Sequence, residues 1–172
     1  MVIVEGPLWR SLENSTLGTT IAGSEWMFPT LETIHVIAIV TVIGCVAAMD
    51  LRLLGITSRG KSVQAMERDT LPLTWIAFAV ALVSGGLLFV SKATSYMVNP
   101  YFLTKDALML LAGVNMLVFH FHFSKDIDLW GQPGGAIPLG AKLSATLSLL
   151  LWMAIPFCGR VIGFTLGVYY AS

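Results

Sequence analysis

The sequence predicts an all-α fold, an integral membrane antiparallel four-helix bundle with an N-terminal interfacial segment, and three observations predict it. Of 172 residues, 56% are hydrophobic and only 12% charged, and the mean hydropathy of +0.79 lies above that of an ordinary soluble domain. The apolar residues gather in four segments, at about 30–51, 71–91, 104–123 and 142–160, each near the roughly 20 residues that a helix needs to cross a bilayer. The connections are short and neither repeats nor low-complexity stretches occur, so the four spans form a single membrane domain over residues 1–172.

Each element has its own signal. The N-terminal segment, with Trp9, Arg10, Glu13 and Trp26 among small polar residues, reads as an interfacial helix and loop. It lacks a basic start, an apolar core and a small-residue cleavage site, so it is expected to be retained. Pro29 suits the first turn of the first span, which closes on Asp50 and Arg52. The second span places Ala77, Ala81 and Gly85 four apart, and Gly44 with Ala48 does the same on the first, a spacing that lets helix backbones approach closely. Lys105 opens the third span, and Asn115 and His120 lie towards its far end. The loop "GQPGGAIPLG" is a turn-rich connection. The fourth span carries Pro156, where a kink is expected, and reaches Arg160. The uncharged tail "VIGFTLGVYYAS" then either lengthens that helix or lies in the interface.

Ten Lys plus Arg balance ten Asp plus Glu, so the global charge points away from nucleic acid. The lipid bilayer is the partner the composition demands; a membrane or periplasmic protein, or a second copy of the chain, is the further partner a bundle of this size would take. Cys45 and Cys158 lie in apolar runs without metal-ligand spacing and read as small packing residues. The eight Met residues read as core filling, with Met109 and Met116 sharing a helical face. The first and third loops carry Arg52, Arg59, Lys61, Arg68, Lys125 and Lys142, against Arg10, Lys92, Lys105 and Arg160 on the other side. This bias puts both termini outside.

Ionisable groups in a membrane helix normally face the bundle interior, pair, or line a site. In helical projection Glu32, His35, Ile39, Val46 and Asp50 fall along one stripe of the first span. Two polar clusters are therefore expected. The outer one gathers Glu32, His35, Lys105 and Arg160; the inner one gathers Asp50, Arg52, Asn115 and His120.

The motifs "PTLETIH", "MDLRLLG", "GGLLF", "YMVNPYFLTK", "NMLVFH" and "SLLLWMAIPFCGR" resemble, in that order, a bacterial family of small four-span membrane proteins known as a domain of unknown function. The resemblance implies a fold and a location in a bacterial inner membrane, and no activity. A fainter similarity links the layout to two haem-associated bundles, the copper-resistance D-type membrane proteins and the J-type protoporphyrinogen oxidases. Those open a first helix with a His and close it with an Arg, as His35 and Arg52 do, and begin the third with a Lys, as Lys105 does. The oxidases carry a His two residues before that Lys, where this chain has Leu103.

Two functional classes follow. In the first, the chain is a membrane electron-transfer subunit that binds b-type haem or a quinone, with His35 as principal contact. His35 and His120 are the candidate haem-iron ligands, because neutral imidazole serves that role in bundle interiors. The first and third helices run in the same direction, so at 1.5 Å per residue the two imidazoles differ in height by roughly 18 Å. On these registers a haem is expected to take one imidazole from this chain, with its sixth position vacant, filled by a group other than His, or supplied by another subunit. A quinone would instead use His35 and Glu32 for hydrogen bonding and proton management, near Trp26, Phe28, Tyr101 and Phe102. In the second class the same residues are structural ion pairs in a non-catalytic scaffold.

Overall fold

The computed structural model describes residues 6–170 and is helical throughout. Two short helices, α1 (Pro7–Glu13) and α2 (Thr16–Gly23), precede the bundle, where one helix and a loop were expected. Ser15 separates them, and its hydroxyl oxygen accepts from Gly18 N at 3.1 Å to cap α2. The four long helices are α3 (Met27–Leu53), α4 (Val63–Ser91), α6 (Pro100–Val118) and α8 (Leu139–Thr165); α5 (Ala93–Val98) links α4 to α6, and α7 (Ile127–Trp130) precedes the last loop.

The spans are longer than the hydropathy pattern alone implies. Helix α4 begins eight residues before the apolar run at 71, because the Ser62 hydroxyl caps it by accepting from Ala65 N at 3.1 Å, and Pro72 is accommodated inside it. Helix α6 starts where Asn99 accepts from Tyr101 N at 3.0 Å and Pro100 occupies the first position. It then passes at Phe119–Phe123 into a π-helical turn and at Ser124–Asp126 into a 3-10 turn. Helix α8 runs through Pro156 to Thr165 and so takes in part of the tail.

The helices pack in the order α4, α3, α8, α6: α3 lies against α4 and α8, and α6 lies against α8. Two apolar cores hold this row. One joins Leu53, Val63, Ile127, Trp130, Ala141 and Ala145 at the end of the bundle near Asp50. The other joins Ala112, Leu151 and Ile155 between α6 and α8, with Met109 packed on it. Met116 faces outward at 47% exposure, so only one methionine of that pair fills core. Cys45 is half-buried and Cys158 buried, both free. At the other end Asn99, which is buried, donates from Nδ2 to Thr165 Oγ1 at 3.0 Å and fastens the α5–α6 corner to α8.

The small-residue spacing has two outcomes. Gly85 lies at a close approach, described below. Gly44 does not: a Cβ there would meet no atom within 4 Å, so the expected contact at that glycine is not made within the bundle.

Candidate functional site

His35 sits about two turns into α3 and turns towards α4. Its Nδ1 lies 2.9 Å from the carbonyl oxygen of Ala81 and 3.1 Å from Ser84 Oγ. A carbonyl can only accept, and Ser84 sends its own proton to Val80 O at 2.6 Å. Nδ1 therefore carries the proton, and Nε2 is left with a free lone pair. Among the described residues Nε2 has no hydrogen-bond partner and is not sealed from contact. The ring lies on Gly85, where a Cβ would come within 2.7 Å of Cε1 and 3.2 Å of Nδ1. The Ala81 and Gly85 positions of the small-residue stripe thus receive an imidazole, in addition to letting two helices approach.

The charges of Lys105 on α6 and Glu32 on α3 both act on this imidazole. Lys105 stands 3.5 Å from Asp106 and 4.5 Å above the ring of Phe102. Phe102 stacks on Phe89 at 5.5 Å and lies 5.2 Å from Tyr96, while Trp9 meets Phe89 edge-on at 5.8 Å. Lys92 stands 4.5 Å above Phe28. The Tyr96 phenol is pushed up to about 12, first by burial and then by the Glu32 charge. In the sequence Trp9 reads only as an interfacial residue and Lys92 only as a loop charge, and nothing marks Phe89 or Tyr96 for this site, because aromatic and basic residues at helix ends are ordinary belt residues until the fold gathers them. Of the aromatics expected near His35, Trp26 points away at 80% exposure and Tyr101 is half-buried.

Arg160 departs from the expected cluster. It is exposed and stands 4.5 Å over Phe164, one turn along its own helix; no contact joins it to His35 or Glu32.

Two glycines near the far end of α8, Gly159 and Gly163, are exposed. Leu53 of α3 and Ala141 of α8 share one core; His35 lies eighteen residues before Leu53, and Gly159 lies eighteen after Ala141. Eighteen residues are five helical turns, about 27 Å, and return to the same angle, so on an unbroken helix Gly159, which is exposed, would share the face of α8 that carries Ala141. Gly163 follows about one turn later on the same side of α8 and is also exposed. A Cβ on either glycine would meet nothing within 4 Å, whereas Ala141 and Ala145 are buried. The seam between α3 and α8 is packed at the Asp50 end by Ala141 and Ala145, while Gly159 and Gly163 further along α8 are uncovered.

The expected inner cluster divides into separate contacts. Arg52 is buried and donates from Nε to Lys61 O at 2.7 Å, closing the α3–α4 loop. Asn115 and Ser144 exchange two hydrogen bonds between α6 and α8, Nδ2 to Ser144 O and Ser144 Oγ to Asn115 Oδ1, both at 3.0 Å. Asp50 meets Ser148 of α8. His120 is exposed in the π-helical turn, edge-on to Phe121 at 5.8 Å, and joins none of them. Helical projection put these residues near one depth; it could not say which neighbouring helix each would face.

Among the described residues no group of three or more His, Cys, Asp or Glu is placed to hold a metal ion. A haem makes a smaller demand, since the porphyrin supplies four of the iron's ligands and the protein only the axial ones.

Residues 11–165 match the model of DUF6644, a family of unknown function, and the chain belongs to that family. No curated protein matches the chain, and no solved structure does. The four-span membrane family expected from the motifs is therefore found, while nothing in the comparisons ties the chain to the copper-resistance D-type proteins or the J-type oxidases.

Proposed function

We propose that this multi-pass membrane protein is an electron-transfer subunit that holds a planar redox group, b-type haem or a quinone, beside His35. The observation that carries the reading is the posture of that imidazole: Nδ1–H is fixed on Ala81 O, and Nε2 is left without a hydrogen-bond partner among the described residues. Ligating histidines are oriented in this way, by a carbonyl that holds the other ring nitrogen and sets the tautomer.

A haem would supply one-electron redox chemistry at its iron; a quinone would supply two-electron, two-proton chemistry at its carbonyls. The chain's residues do the rest. His35 Nε2 would ligate the haem iron, or accept the hydroxyl proton of the reduced quinol, since a quinone carbonyl is itself only an acceptor. Lys105 and Lys92, each over an aromatic ring, offer positive charge to propionates or a reduced oxygen. Glu32, which is exposed, exchanges protons with water. Gly159 and Gly163 leave room for a flat group against α8. His120, at the opposite end, is not a second ligand from the same chain. The basic-residue bias, six against four, puts this end on the periplasmic side of the inner membrane.

The test is the visible spectrum of detergent-purified protein from haem-replete cells, oxidised and then dithionite-reduced, beside His35→Ala. A Soret band that the substitution abolishes supports haem. A featureless spectrum with a quinone in the organic extract of wild type, and none in that of His35→Ala, supports the quinone. Neither group in the wild-type protein overturns the redox reading and leaves the scaffold.

A further inference from the structure

At the opposite end of α3, about 22 Å along the helix from His35 at 1.5 Å per residue, a carboxyl is enclosed without a counter-charge. Asp50 is only 6% exposed. Ser148 Oγ on α8 is the side-chain group that acts on it, and Oδ2 is sealed and has no hydrogen-bond partner among the described residues. Such a group is costly in a bilayer-spanning helix unless something neutralises or satisfies it.

The charged groups of the surrounding elements are engaged elsewhere or make no ion pair with it. Arg52, two residues on, donates to Lys61 O. Lys61 pairs with Asp69 at 3.3 Å, and Asp128 accepts from Gln64. Among the described residues Glu67, Arg68, Lys125, Asp126 and Lys142 form no salt bridge with Asp50, and no charged group acts on it. Oxygen donors, by contrast, are close at hand along α8. Ser148 stands one turn from Ser144, and Ser144 is bonded to Asn115 Oδ1.

We propose that Asp50 is the anchor of a monovalent-cation site, for H⁺ or Na⁺, enclosed between α3 and α8 and independent of the redox site at the other end. One positive charge on Oδ2 supplies both the neutralisation and the partner that the protein does not. The chemistry common to the two ions is a single charge small enough to enter a sealed carboxyl–hydroxyl pair, with Ser148 as the second oxygen.

The full chain in detergent tests this. For the proton, infrared difference spectroscopy of wild type at neutral pH is expected to show a neutral-carboxyl stretch that shifts in D₂O and is lost in Asp50→Asn. For sodium, the melting temperature is expected to rise in NaCl over equimolar choline chloride, and this rise is lost in Asp50→Asn. Should Asp50→Asn not fold, Ser148→Ala serves in its place. It moves the carboxyl band as its hydrogen bond is removed, or weakens the sodium response roughly tenfold. A wild-type protein with neither a neutral carboxyl nor a sodium response overturns the proposal, whatever the outcome at His35.

Discussion

His35 Nδ1 and the carbonyl oxygen of Ala81 lie 2.9 Å apart across the α3–α4 interface. The backbone of one helix thereby fixes the tautomer of an imidazole on another, with Gly85 as the floor beneath the ring. Gly85→Ala would put a methyl 2.7 Å from Cε1, too close for the ring to stay. The expected outcome is a loss of about 1–3 kcal/mol in unfolding experiments in mixed detergent, typical of overpacking. Loss of any bound redox group should accompany it. Ser84→Ala, which keeps the Ala81 bond, should retain the group.

Gly159→Leu and Gly163→Leu add bulk on the uncovered part of α8 against which the proposed group would lie. Each is expected to change stability by no more than about 0.5 kcal/mol, as for surface positions, and to exclude the haem or quinone. Unaltered cofactor content in both variants would place the group elsewhere.

Asn115 and Ser144 make reciprocal hydrogen bonds within the membrane. A double-mutant cycle with Asn115→Ala and Ser144→Ala should return a coupling of about 1–2 kcal/mol, in the range of interhelical polar contacts in bilayers. Because one of the two bonds goes to the Ser144 backbone, Ser144→Ala alone should cost less than Asn115→Ala.

Glu13 Oε2 accepts from Thr94 N at 3.0 Å and also from the Thr94 hydroxyl. This tie joins α1 to α5 beside the aromatic stack. Glu13→Ala should leave the buried Thr94 N–H without its acceptor, at about 1.5–3 kcal/mol for a bond to a charged group. Limited proteolysis should then cut between α2 and α3 faster than in wild type.

Tyr96 is expected to titrate near 12 in the folded protein, against 10.0 for an unburied phenol. The folded state holds the proton more tightly, so the stabilisation is fully present below pH 10 and is lost as pH rises from 10 to about 12. Phenolate absorbance, compared with Tyr96→Phe, should show this midpoint, and Glu32→Gln should lower it by removing the neighbouring negative charge.

The sequence by itself determined the membrane and the four spans; of the stripe it marked on α3, Asp50 is buried and Glu32 exposed, and the buried Ala38 and Val42 are not part of it. The spans follow from hydropathy and the stripe from the 100° helical repeat, which are properties of single segments and need no neighbour. The sequence also marked Glu32, His35 and Lys105 as residues of one end. Only the tertiary structure decided the partners. It set Arg160 over Phe164, divided Asp50, Arg52, Asn115 and His120 among separate contacts, and put His35 on Gly85 with Phe89 and Tyr96 beside Phe102. The physical reason is that a helix period states the direction in which a side chain leaves its own axis. Which helix stands there, at what distance, and whether the seam between them is filled depend on how four helices pack together.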